Sequence, residues 1–117
     1  MSVEKVTRMA MLYDFYGQLL TDRQRHLFEL YYDHDLSLGE IAEELEITRQ
    51  AVHDLLKRSE KILEEYETKL GLVNKFLTES QHLFRLVEDL KKFRSTQDPA
   101  ILEQMEETLI RLLDANK

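Results

Sequence analysis

Two helix starts, at Ser37 and Thr48, constrain this chain more than any other feature. Ser37-Leu38-Gly39-Glu40 is a capping box: the Ser37 hydroxyl can accept from the amide three residues on while Glu40 reaches back. Thr48 is a second N-cap of the same kind. A helix opened at Ser37 therefore has room for about two turns before a tight connection hands over to the next one. From Thr48, apolar residues recur at helical spacing to about Leu70, and Gly71 stands where a left-handed residue would end the helix. A short helix, a tight turn and a longer second helix form the frame of a helix-turn-helix, placed here at Ser37 to Lys61.

Such a unit needs a small residue where its two helices cross, an apolar plug in the turn, and a second helix with one face packed and the other free to reach. Ala42 is the small residue, with Leu38, Ile41 and Leu45 facing the core. Ile47 plugs the turn, and Ala51, Val52 and Leu55 pack the second helix down. That leaves Arg49, Gln50 and His53 for base edges, because the first residues of such a helix are the ones that reach them. Arginine can pair with guanine O6 and N7, and glutamine with adenine N6 and N7. Thr48, Lys57, Arg58 and Lys61 suit backbone phosphates. Glu46 occupies the turn position that is often glycine, at a cost of about 1 kcal/mol if it adopts the left-handed conformation.

The remaining chain also reads as helix. Only three glycines and one proline punctuate 117 residues, which argues against a turn-rich β protein. Val6, Met9, Ala10, Tyr13 and Gly17 mark one face of a first helix, roughly 3–17. Thr21 to Gln24 is another capping box, opening a helix with Leu27, Phe28, Leu30 and Tyr31 apolar and an end near Asp33. Tyr13, Tyr16, Tyr31 and Tyr32 are expected to pack these two helices together. After Gly71, Val73, Phe76, Leu83, Val87 and Leu90 fall on a and d positions of a heptad pattern, with Leu77 and Phe84 widening the stripe. Asp98-Pro99 starts a last helix with Leu102, Met105, Leu109 and Leu112 at the same spacing. The expectation is an all-α protein of about six helices, without a wing: a helix-turn-helix domain over residues 1–70 and a two-helix C-terminal arm over 71–117. Two readings of the arm stand side by side. Its helices pack on each other and on the long helix, or they form a homodimer that sets two reading helices a DNA turn apart.

Charge pulls against nucleic acid. The net charge is −7, and residues 1–70 carry nine Lys/Arg against fifteen Asp/Glu. Proteins that bind DNA draw most of their affinity from phosphate neutralisation and are usually basic. Residues 48–61 reverse the sign locally, with Arg49, Lys57, Arg58 and Lys61 against Asp54 and Glu60. Arg58 and Lys61 could instead pair with Glu64 and Glu65 along the helix. Catalytic chemistry finds little support. There is no cysteine, no glycine-rich phosphate loop and no histidine spacing for zinc, so no metal or cofactor is expected. Glu40, Glu43, Glu44 and Glu46 read as a solvated helix face. No apolar run is long enough for a membrane span, and the first twenty residues lack a signal-peptide core, so the expected location is the cytoplasm.

The string Glu40-Ile41-Ala42, Leu45, Ile47-Thr48-Arg49-Gln50, Val52, Lys57-Arg58 and Ile62-Leu63 resembles region 4 of bacterial sigma factors, which reads promoter elements. Ala51, His53 and Asp54 depart from that pattern, where arginine or glutamine often stands, and Asp54 would repel a phosphate backbone. Residues 19–58 resemble more closely the YlxM family, small helix-turn-helix proteins of Gram-positive bacteria whose genes lie beside those of the signal recognition particle GTPases. The resemblance implies a sigma-region-4-like fold and a role in, or regulation of, the signal recognition particle pathway. Two functions follow from these readings: a DNA-binding regulator, or an accessory factor that contacts the particle's GTPase or its RNA and not DNA.

Overall fold

The structure is a computed structural model that describes residues 2–116. Every regular element among these residues is helical: α1 (Val3–Tyr16), a 3-10 turn (Gly17–Leu19), α2 (Asp22–Tyr32), α3 (Leu38–Leu45), α4 (Arg49–Leu70), α5 (Leu72–Thr96) and α6 (Pro99–Ala115). None of the helices is long and apolar enough to cross a membrane. The chain divides into two compact units, Met1–Val73 and Asn74–Lys117.

The first unit is closed by its caps. Both boxes are formed reciprocally: the Thr21 hydroxyl accepts from Gln24 N while Gln24 returns to Thr21 N at 2.9 Å, and Ser37 and Glu40 do the same at 3.1 and 3.0 Å. These bonds satisfy amides that have no partner within their own helix. Leu12, Tyr16, Leu27, Phe28, Ile41, Val52 and Leu63 are wholly buried and form one core against α4. The tyrosines pack as their spacing predicts. Tyr13 stacks on Phe28 at 4.8 Å, and Tyr32 closes the other side of Phe28 at 4.4 Å.

Helix α1 is turned relative to expectation. Its buried face carries Met9, Leu12 and Tyr16, whereas Val6 and Ala10 are exposed. Seven of the eight residues from Met9 to Tyr16 are apolar or aromatic, so periodicity alone could not choose the face. The hydroxyl of Tyr16 decides it by finding a carboxylate on α4, at Glu67 Oε1, 2.6 Å away. Gly17 begins the 3-10 turn instead of ending the α-helix, and a Cβ there would come within 2.9 Å of the Tyr13 ring.

One half-buried and one buried carboxylate, Glu67 and Glu60, tie the helices of this unit together. Glu67 accepts from Tyr16 and from the Val73 amide at 3.0 Å, while the Leu72 amide donates to the Tyr16 hydroxyl at 3.0 Å. Two orphan amides at the start of α5 are thus capped by side chains from α1 and α4. Glu60 accepts from Tyr32 at 2.6 Å and lies 3.3 Å from Lys5. Burial, then these hydrogen bonds to carboxylates, push the Tyr16 and Tyr32 phenols up. The same causes, with Glu29 as the acceptor, push Tyr13 up to about 12.

In the second unit the less exposed residues fall at helical spacing on each helix. They include His82, Leu86, Asp89 and Phe93 on α5, and are Ile101, Met105, Thr108 and Leu112 on α6. Arg85 meets Gln104, Glu107, Thr108 and Arg111 around a depression of about 230 Å³. The stripe read as a and d positions is not what joins these helices. Phe76, Leu83, Val87 and Leu90 are exposed.

Candidate nucleic-acid interface

The turn between α3 and α4 is built without glycine. Glu46 takes φ 57°, ψ 43°, the left-handed conformation its position requires, and Ile47 N donates to Ala42 O at 3.1 Å. This six-to-one bond is the Schellman closure, with Glu46 at the position glycine normally fills. Ile47 is thereby turned inward beside a core that includes Ile41 and Ala42. Thr48, extended at φ −75°, ψ 155°, then accepts from Ala51 N at 3.0 Å and starts α4. Its hydroxyl proton stays available as a donor to a phosphate oxygen.

Along α4 the buried seam is Val52, Leu56, Ser59 and Leu63, so Leu56 does the packing that Leu55, only half-buried, was expected to share with Val52. By helix geometry, at about 100° per residue, the middle of the opposite face falls at Asp54. Gln50, Lys57 and Lys61 lie beside it, with Arg58 on one flank and His53 and Arg49 on the other. All seven predicted contact residues, from Thr48 to Lys61, are exposed.

Their partners separate them. Asp54 holds two of the three expected base readers: Gln50 Nε2 donates to Asp54 Oδ1 at 2.9 Å, and His53 Nδ1 lies 3.4 Å from the same oxygen. Lys57 leans towards Glu60 at 3.7 Å. Arg49, Arg58 and Lys61 make no ion pair among the described residues. Neither expected pairing of Lys61, with Glu64 or with Glu65, forms among the described residues; Glu64 is taken instead by Arg8 in a two-point fork at 2.7 Å for each bond. That fork raises the Arg8 pKa. A carboxylate from the long helix is thus neutralised across the unit by α1.

The structure also brings up a residue that periodicity did not single out. Arg23, in the first turn of α2, lies with Thr21, Gln24, Leu27, Leu55 and Arg58 around a pocket of about 130 Å³. Arg23 and Arg58 therefore approach from separate helices and flank the same edge. Its signal in the sequence was its place just after the Thr21 cap, where a side chain leaves the helix towards solvent.

The arrangement offers hydrogen-bonding and cationic side chains along an exposed helix, with one carboxylate at its centre. Over residues 3–110 the chain matches the family model described as "Putative helix-turn-helix protein, YlxM / p13 like". A UPF0122 protein of Desulforamulus reducens is 50% identical over 107 residues, covering 92% of this chain and 92% of that protein. A UPF0122 protein of Acetivibrio thermocellus is 43% identical over 117 residues, covering 97% and 100%. One from Bacillus mycoides is 54% identical over 96 residues, covering 82% and 84%.

Proposed function

The chain belongs to this UPF0122 family of YlxM / p13-like helix-turn-helix proteins, and from that premise we propose that it is a DNA-binding regulatory protein acting in the cytoplasm. The observation that carries the reading is α4, where Arg58 and Lys61 on the solvent face and Arg49 on its flank stand exposed with no ion pair among the described residues. Arg49, Gln50 and His53 read base edges; Thr48, Lys57, Arg58 and Lys61, joined by Arg23, hold phosphates. Gln50 can bind adenine without leaving Asp54, since its amide nitrogen has a second proton and its oxygen is free to accept.

The test is capture of fragmented genomic DNA and cellular RNA on the full chain and on a chain carrying Arg49→Ala and Gln50→Ala. Wild type is expected to enrich a defined DNA set that the variant loses, with affinity falling steeply as salt rises. Equal capture by both chains removes α4 as the reading helix.

A second reading follows from the acidic surroundings of α4 and from Asp54 at the centre of its face. In it the protein is an accessory factor of the signal recognition particle, bound to the particle's GTPase or RNA. Enrichment of that RNA or GTPase, with no DNA and no effect of the Arg49 change, would favour it.

A further inference from the structure

The helical hairpin of α5 and α6 is built the wrong way round for a unit that stands alone. Its inner faces mix Leu86, Phe93, Ile101, Met105 and Leu112 with His82, Asp89 and Thr108, and Asp89 Oδ2 is buried with no hydrogen-bond partner among the described residues. Its outer face carries the apolar side chains. On α5, Phe76, Leu77, Leu83, Phe84, Val87 and Leu90 are each 40–68% exposed. On α6, Leu102, Leu109, Ile110 and Leu113 add a second stripe. Ten large apolar side chains half in water leave on the order of 1,000 Å² uncovered, beyond the few hundred Å² of a typical monomer's largest patch. It is also about what each partner contributes to a stable dimer.

The spacing names the shape of the occupant. Phe76, Leu83 and Leu90 recur every seven residues with Val87 between them, and Leu102, Leu109 and Leu113 repeat the pattern on α6. Such stripes fit the side of another helix. Charge names the occupant itself. Helix α5 carries five Lys/Arg and three Asp/Glu, whereas α6 carries one and four. Each chain therefore presents one helix that is net basic and one that is net acidic, and a two-fold axis brings the two together twice over. Lys91 sits on the α5 stripe one turn after Val87, and Glu106 sits on the α6 stripe between Leu102 and Leu109. We propose that a second copy of this chain covers this face, the two hairpins forming a four-helix bundle with α5 of one protomer against α6 of its partner. The proposal is independent of what α4 binds.

Sedimentation equilibrium of the full chain is expected to give twice the 14.0 kDa protomer mass. Phe84→Asp and, separately, Leu113→Asp are expected to weaken association by at least about 30-fold, the effect of losing a central contact. Circular dichroism should stay helical, because both residues are already 68–69% exposed in one chain. A wild-type chain that is monomeric at tens of micromolar overturns the proposal, including the case where a different protein uses the face. So does a dimer that both variants leave intact. The pairing of helices has its own test. Chains carrying Lys91→Glu and chains carrying Glu106→Lys are each expected to self-associate more weakly than wild type and to form mixed dimers when combined. Absence of any preference for the mixed pair overturns the placement of α5 against α6.

Discussion

The two units of this chain treat their apolar residues in opposite ways. Around α4, Leu12, Phe28, Ile41 and Leu63 are inside, and the buried carboxylate Glu60 and the half-buried Glu67 are matched by tyrosine hydroxyls. In the α5–α6 hairpin Leu83, Phe84 and Leu113 are outside, and the buried carboxylate of Asp89 leaves one oxygen without a partner among the described residues. A buried polar group costs least when its hydrogen bonds are complete, and apolar surface contributes only when removed from water. By both measures the first unit has completed its own core and the second has done so only in part. The contrast explains how one short chain can hold a packed helix-turn-helix and still carry an exposed apolar face.

The largest effect that tests this contrast is a pair of phenylalanine truncations. Phe28→Ala removes a ring 1% exposed and stacked between Tyr13 and Tyr32, and is expected to cost about 3–5 kcal/mol. That loss should be the same at every protein concentration. Phe84→Ala is expected to cost little in dilute solution and progressively more as concentration rises, because its ring is buried only between copies. Denaturant unfolding at two concentrations a hundredfold apart reads both. A concentration-independent loss at Phe84 as large as that at Phe28 would place the ring in an intrachain core and break the contrast.

How legible each unit was follows the same division. The caps at Thr21, Ser37, Thr48 and Gly71 were written in local residue types and formed as read, because a cap is settled within four residues. The left-handed Glu46 was equally local. What escaped depends on partners far along the chain. The face of α1 was set by Tyr16 finding Glu67, fifty-one residues away, and Glu64, an expected partner of Lys61, is claimed by Arg8 from fifty-six. Asp54 was legible as a repulsive charge, but its grip on Gln50 and His53 appears only with side chains in place. The heptad stripe of the arm was visible in the sequence, yet periodicity reports that a face is apolar and not which chain covers it.

The next effect concerns charge on the two units. Asp54→Asn removes the anion at the middle of the α4 face while leaving an acceptor for Gln50. Affinity for DNA captured by the wild type is expected to rise by about 3–10-fold, with a steeper gain at low salt. Glu88→Gln, on α5 and paired with Lys91 at 3.5 Å, is expected to leave that affinity unchanged. Fluorescence anisotropy titrations at two salt concentrations distinguish them. An equal gain from both changes would mean that overall acidity, and not the position of Asp54, opposes the nucleic acid.

A smaller effect separates two helix ends that share one backbone conformation. Glu46 and Gly71 both lie at positive φ, 57° and 63°, and nothing approaches the position a Cβ would take at Gly71. Only backbone strain therefore distinguishes the side chains tolerated there. Glu46→Gly is expected to stabilise by up to about 1 kcal/mol, and Gly71→Ala to destabilise by about 1 kcal/mol. Thermal unfolding of both variants is the measurement. Destabilisation at Glu46 would show that its side chain contributes more than its conformation costs.

The smallest expected effect lies at the start of α3 and depends on pH. The Ser37 amide, donating to Glu40 Oε1 at 3.0 Å, and then the Ser37 side chain hold the Glu40 carboxyl below its ordinary value of 4.5. A carboxyl depressed in the folded state stabilises the fold above its unfolded pKa and loses that contribution as pH falls through the folded value. Glu40→Gln keeps an acceptor but removes the charge that also favours the helix N-terminus. The melting temperature of the wild type is therefore expected to exceed that of Glu40→Gln near neutrality, with the gap closing below about pH 4.5. Because α3 seats α4, the same acid range is where the reading head should loosen at its turn. A gap that stays constant down to pH 3 would mean that the carboxylate contributes through shape alone.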